Sequence, residues 1–151
     1  MKNIWIRKCE YKDCEFLYKL ANDKLCRENS FNSDFIEYNI HKIWFNKSLK
    51  SNDRKIFIVQ YMNKDIGQIR MDFIHKNCAE ISYSLDKEYR GKGIGTYIVA
   101  LIKDIIKDKY KNIKVIQGKV KFSNISSRKV FLKNGYLEIK EESFYKYIYK
   151  L

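Results

Sequence analysis

YRGKGIGTYIV, residues 89–99, sets three of the chain's six glycines, Gly91, Gly93 and Gly95, on alternate positions just ahead of an apolar helical pattern. Ile94, Ile98, Leu101, Ile102, Ile105 and Ile106 recur at helical spacing, with Lys103, Asp104, Lys107 and Asp108 opposite them, so the loop opens an amphipathic helix that packs on a sheet. The preceding AEISYSL reads as a strand. Small residues joining a strand to a helix leave backbone N–H groups bare at the positive end of the helix dipole, which suits a phosphate. Two familiar phosphate loops fail on spacing. No glycine precedes Lys-Ser or Lys-Thr, as a P-loop needs, and Thr96 stands one residue away from completing GxGxxG. What remains is R-x-x-G-x-G, from Arg90 to Gly95.

Outward from the loop, IWIRKC (4–9) alternates like a strand and YKDCEFLYKLAN reads as a short helix. Ser33 or Asp34 is placed to cap a longer helix, FIEYNIHKIWFNKSL, with Ile36, Ile40, Ile43 and Trp44 in one stripe and Tyr38, His41 and Phe45 in a second. KIFIVQYM (55–62) is continuously apolar, as in a strand covered on both faces. It leads through Asn63-Lys64 into DIGQIRMDFIH, then through Lys76-Asn77 into CAEISYSL, a three-stranded meander. Beyond the crossover helix come the strand IKVIQGKVKF (113–122), a helix in SNISSRKVFLKNG closed by Gly135, and a last pair of strands in YLEIKEESFYKYIYKL. The order β-α-α-β-β-β-α-β-α-β-β makes an α/β (α+β) chain of about seven strands and about four helices, with one crossover.

Parity matters in the meander. Gln68, Arg70 and Asp72 share one strand face, and Glu80, Ser82 and Ser84 share one face of the next. A two-residue hairpin loop sends the sets to opposite faces, whereas a three-residue loop with Asn77 left-handed merges them into one polar wall, the arrangement expected here.

A length of 151 residues with 45% apolar and 32% charged content suits one domain, 1–151, with its own core. No apolar run approaches the roughly 20 residues that span a bilayer. MKNIWIRKCE lacks the apolar stretch of a signal peptide, so no membrane role and a cytoplasmic location are expected. Four cysteines without a CxxC pair and two histidines make a poor zinc set, and no metal is expected. A net charge of +13 favours polyanions, but its lysines are scattered.

The glycine loop, with Arg90 and Lys92 alternating with the glycines, resembles the pyrophosphate loop of the GNAT superfamily of acyl-CoA-dependent N-acetyltransferases. The likeness extends to the strand before it, to an Asn-x-x-small helix ending in Lys-x-Gly-aromatic (Asn124, Ser127, Lys133, Gly135, Tyr136), and to the element order over residues 4–151. It implies a mixed, mostly antiparallel sheet and acetyl-CoA as co-substrate. It also implies a cofactor site made of Tyr83, Ser84, Leu85, Arg90, Gly91, Lys92, Gly93, Ile94, Gly95, Thr96, Asn124 and Ser127. In the family the sheet splays after the strand preceding the loop, the pantetheine arm lies in the gap, and an amine attacks the thioester directly. Glu80 resembles the base of several branches, and a backbone N–H near Leu85 would stabilise the oxyanion. Phe131 stands where many members carry the tyrosine that protonates the thiolate, which leaves Tyr136 or Tyr83 for that role.

NDKLCRENSF, IEYNIHKIWF and IGQIRMD are similar to the family branch that acetylates amino-sugar nucleotides in pseudaminic- and legionaminic-type pathways. Carried over, Arg27, His41, Trp44 and Arg70 become the acceptor site: cations suit a diphosphate and an aromatic stacks on a sugar or base. Trp44 and His41 also read as core, and Arg27 and Arg70 as ordinary surface charge or salt bridge. Other acceptors remain open, a protein N-terminus or lysine among them, with a polyamine disfavoured by the positive charge. A basic nucleic-acid-binding module is the alternative of another class. The assembly is open, a homodimer included.

Overall fold

The computed structural model describes residues 1–151. One seven-stranded sheet carries the order β1-β2-β3-β4-β5-β7-β6. Its strands are β1 (Ile4–Lys8), β2 (Arg54–Tyr61), β3 (Lys64–His75), β4 (Cys78–Leu85), β5 (Val115–Lys121), β6 (Leu137–Lys140) and β7 (Phe144–Lys150). Every neighbouring pair is antiparallel except β4–β5. Parallel neighbours need a crossover, supplied by α4 (Ile94–Lys109) directly after the glycine loop.

The two sheet faces carry different layers. On one, α4 and α5 (Ile125–Lys133) cover the larger core, where Ile98, Ile102 and Ile106 of α4 meet Ile69, Met71, Ile81 and Ile116. On the other lie α1 (Cys14–Ala21), α2 (Lys24–Asn29) and α3 (Tyr38–Lys50), and there Leu17, Leu20 and Phe45 pack on Ile56 and Ile58. Ile56 to Val59 are buried in succession because β2 is sandwiched between both cores, as its unbroken apolar run predicts.

Three expectations change. The α3 helix begins at Tyr38 after Glu37, so neither Ser33 nor Asp34 caps it. Its buried face is His41, Phe45 and Ser48, while Ile40 and Ile43 are 63% and 60% exposed. Periodicity shows two stripes, and only the position of β2 chooses between them. The short α2 lies in NDKLCRENSF, whose pattern predicts no helix, because six residues are too few for a repeating stripe; Asp23 caps it by accepting from the Cys26 N–H. Finally, the β3–β4 hairpin has the two-residue loop, with His75 opposite Cys78, but a bulge between Phe73 and His75 shifts the register by one. Gln68, Arg70 and Asp72 therefore stand opposite Ser84, Ser82 and Glu80 and form the single polar wall expected, by a bulge rather than by a left-handed Asn77.

Candidate active site

Gly91 and Gly93 adopt φ of +73° and +79°, the left-handed region where a side chain is strained, and Gly93 is the N-cap of α4. This geometry turns the chain sharply from Arg90 into the helix. The backbone N–H groups of residues 91 through 96 donate no hydrogen bond within the chain; the first donor is Tyr97, to the Gly93 carbonyl at 3.2 Å. Six free amides at the N-terminus of a 16-residue helix form a cradle suited to an anion such as a phosphate. Gly95 serves packing instead. A Cβ there would lie 3.2 Å from the Tyr83 ring, so its absence lets α4 close on β4.

Arg90 is committed elsewhere. Its Nε donates to the Leu85 carbonyl at 3.0 Å, and another guanidinium nitrogen bonds Asp23 at 2.6 Å. Burial pushes the Asp23 carboxyl up, but the Arg90 and Cys26 bonds outweigh it and hold the group below its ordinary range. The side chain thus ties the loop to the start of α2 and leaves the cradle to its amides and to Lys92, which is exposed.

β4 and β5 separate beside this cradle. Their pairing covers Cys78–Val115, Ala79–Ile116 and Glu80–Gln117 and then stops, although β4 runs on to Leu85 and β5 to Lys121. Asp86 N donates to Ile66 O across the β3–β4 ladder. Alternation along that ladder therefore turns the N–H groups of Tyr83 and Leu85 away from β3, into the opening. Ser84 pairs with Gln68, whose amide donates to its hydroxyl, so its side chain leaves the cleft. On the α5 side, Tyr83 and Ser127 share a hydroxyl hydrogen bond of 3.0 Å, and Asn124 caps α5 by accepting from the Ser127 N–H.

At the apex of the opening, on the face covered by α1–α3, the polar wall continues into β5. Gln117 Nε2 donates to Glu80 Oε1 at 2.7 Å, and Lys119 Nζ lies 3.6 Å from the same oxygen. Asp72 stands across from Glu80 and receives Arg54 at 2.6 Å and Arg70 at 3.3 Å. The guanidinium carbons of both arginines lie over the Trp44 ring, 5.5 Å and 5.8 Å from its centre. Burial lowers the Arg70 pKa against the pull of Asp72, and it is the fully buried Nε that faces Asp72 at 3.3 Å, as an ion pair without hydrogen-bond geometry. Arg54, Gln117 and Lys119 lie outside the set expected from sequence. Strand alternation is the signal that could have found them, since Arg54 shares a face with Ile56 and Ile58, and Gln117 with Lys119.

Of the expected acceptor residues, Trp44 and Arg70 come together in this wall and two do not. Arg27 spends its donors on the Ala21, Asn32 and Asp34 carbonyls and the Ser30 hydroxyl, organising the chain between α2 and α3. His41 is buried among Tyr18, Trp44 and Phe45, and its Nε2–H donates to the Cys14 carbonyl at 2.9 Å. Tyr136 is also displaced from its expected role. It is 4% exposed in the core under α4 and α5, with Phe131 and Tyr149 against its ring and its hydroxyl unpartnered, on the sheet face opposite Glu80. Burial raises its pKa, which makes it a poorer acid. A Tyr after the helix-capping Gly135 reads alike in sequence whether it faces the cleft or the core.

The family model described as "Acetyltransferase (GNAT) domain" matches residues 3–137. Among solved structures, spermidine N-acetyltransferase from Vibrio cholerae in complex with CoA and spermine superposes with a TM-score of 0.88 at 18% identity, over 99% of this chain and 96% of that one. RimL, a ribosomal L7/L12 α-N-protein acetyltransferase in complex with coenzyme A, gives 0.87 at 14%, over 100% and 96%. The Campylobacter jejuni N-acetyltransferase PseH gives 0.74 at 18%, over 98% of both chains. At these identities the likeness concerns the fold. No curated protein matches the chain.

Proposed function

This chain belongs to the GNAT acetyltransferase family and is an acetyl-CoA-dependent N-acetyltransferase, and from that premise we propose that its acceptor is the amine of a nucleotide-linked amino sugar. The amides of residues 91–96 hold the coenzyme's pyrophosphate, with Lys92 adding charge. The pantetheine arm runs between β4 and β5 past Tyr83, Ser127 and Asn124, and meets the outward N–H groups of β4. Glu80 is the base: Oε1 is occupied by Gln117 and Lys119, and Oε2, which accepts no hydrogen bond, takes the ammonium proton through water, since about 16 Å of strand separates Glu80 from Leu85. The freed amine attacks the thioester carbonyl, and the Leu85 N–H receives the oxyanion, a donor worth about 3 kcal/mol of barrier in comparable sites. Phe131 and the buried Tyr136 are unable to serve, so the thiolate, whose ordinary pKa of about 8.5 lets it depart, takes its proton from Tyr83 beside the arm or from the attacking nitrogen, which sheds one as the amide forms.

The observation that carries the acceptor reading is Arg70, whose guanidinium lies over Trp44 with its Nε facing Asp72 at 3.3 Å, while neither terminal nitrogen makes a hydrogen bond within the chain. An anionic acceptor offers those terminal donors charged hydrogen bonds, each worth about 1.5–3 kcal/mol. Along this wall Arg54, Arg70 and Lys119 outnumber Asp72 and Glu80. That balance repels a polyamine and attracts a diphosphate.

The test follows thiol release from acetyl-CoA across nucleotide-linked amino sugars, spermidine and peptides with free N-termini. Turnover should favour the first class. Arg70→Met should raise the acceptor KM about 10- to 100-fold, the value of a charged hydrogen bond, with the acetyl-CoA KM unchanged. A preference for spermidine, or an Arg70→Met enzyme with an ordinary acceptor KM, refutes the assignment.

A further inference from the structure

We infer that Gln117 is a positioning residue for the reaction: its side-chain amide holds Glu80 with Oε1 bound and Oε2 turned to the acceptor. This rests on the reading of Glu80 as the base. Glu80 occupies the last position of β4 that pairs with β5, and beyond it the strand is held by β3 alone. Gln117 is its β5 partner and is 7% exposed, against a Glu80 side chain that is 26% exposed. The amide is oriented at both ends. Its Nε2 donates to Glu80 at 2.7 Å, while its Oε1 accepts from the Cys78 thiol at 3.9 Å. The reverse amide orientation would set two oxygen acceptors 2.7 Å apart, which electrostatics forbids.

The Cys78 end is secure because burial raises the thiol pKa, so the sulfur keeps its hydrogen and remains a donor. Lys119 shares Oε1 but at 3.6 Å on a half-exposed, flexible side chain, and it cannot set an angle as a planar amide does. Asp72 directly across β3 and Arg70 beside it are the other charged groups facing the carboxylate, and neither bonds it. With those groups silent, the orientation of Glu80 depends on one buried neutral donor. A base displaced by about 1 Å loses about 100-fold in rate while binding is spared.

The experiment measures kcat and both KM values for the wild type, Gln117→Met, Glu80→Gln and the double variant, using acetyl-CoA and whichever acceptor class gives the highest turnover. Gln117→Met keeps length and burial; Gln117→Leu is the second variant should the first lower the melting temperature. The expected result is a kcat reduced about tenfold or more with both KM values within about twofold, and no further loss when the same change is made in Glu80→Gln. A purely structural role moves KM as well and acts equally in both backgrounds, which overturns the inference, as does an unchanged kcat. Should Glu80→Gln alone retain full turnover, the base reading fails first and takes Gln117 with it.

Discussion

Replacing Gly118 by alanine tests how the cleft is built. Gly118 is the first β5 residue beyond the last β4 pair, and the Phe131 ring of α5 lies directly on its backbone. A Cβ at Gly118 would stand 2.4 Å from Phe131 Cζ and 2.6 Å from Cε1. Ordinary carbon contacts need about 3.5–4.0 Å, so the ring must retreat by about 1 Å or more. It has little room, since it is stacked on Tyr147 with centroids 5.1 Å apart and set edge-on to Tyr136 at 5.1 Å. Overpacking of that kind costs about 1–3 kcal/mol, which for a domain of this size lowers the melting temperature by roughly 2–4 °C per kcal/mol. Because Phe131 sits on the helix that carries Ser127, the acetyl-CoA KM should rise as well. Thermal melting and initial-rate kinetics on Gly118→Ala, Phe131→Leu and the double variant measure both effects. The smaller Leu side chain should recover part of the loss in the double variant. A Gly118→Ala enzyme that melts with the wild type and keeps its KM refutes the packing argument.

Two further expectations follow from local geometry. Gly93→Val should abolish acetyl-CoA binding in calorimetry, because a β-branched residue at φ +79° cannot hold the turn that presents the free amides. Bulk alone is a lesser factor, since the added Cβ would meet only the flexible Met1 Cε at 3.3 Å; Gly93→Asn, which tolerates the left-handed region, should keep the wild-type melting temperature, and native affinity in Gly93→Val contradicts the loop reading. Burial lowers the His41 pKa from 6.5 against the Cys14 carbonyl bond, so the unfolded chain takes up that proton more readily than the folded one. The contribution to stability is complete above 6.5 and is lost as pH falls below it toward the folded value. Denaturant midpoints between about pH 7 and 5 should therefore decline less in His41→Phe than in the wild type, and parallel declines contradict the assignment.

How much the sequence determined by itself differs between loop and wall. The glycine spacing and the helix behind it settle the geometry of the loop and its free amides, because left-handed turns and helix N-termini are local features that a few residues specify without help from the rest of the chain. The element order, the short α2 apart, follows from local periodicity for the same reason. Which stripe of α3 is buried, where the side chains of Arg90 and Arg27 are spent, and whether Tyr136 faces core or cleft are long-range questions, answered by the elements packed against them. The clearest case is the polar wall: one bulge before His75 moves every pairing from Phe73 to Gly67 by one residue, and that shift brings Arg70, Asp72 and Glu80 onto one face. Side-chain direction alternates along a strand with a period of two, so a single extra residue decides it, and that residue's conformation is set by the finished sheet.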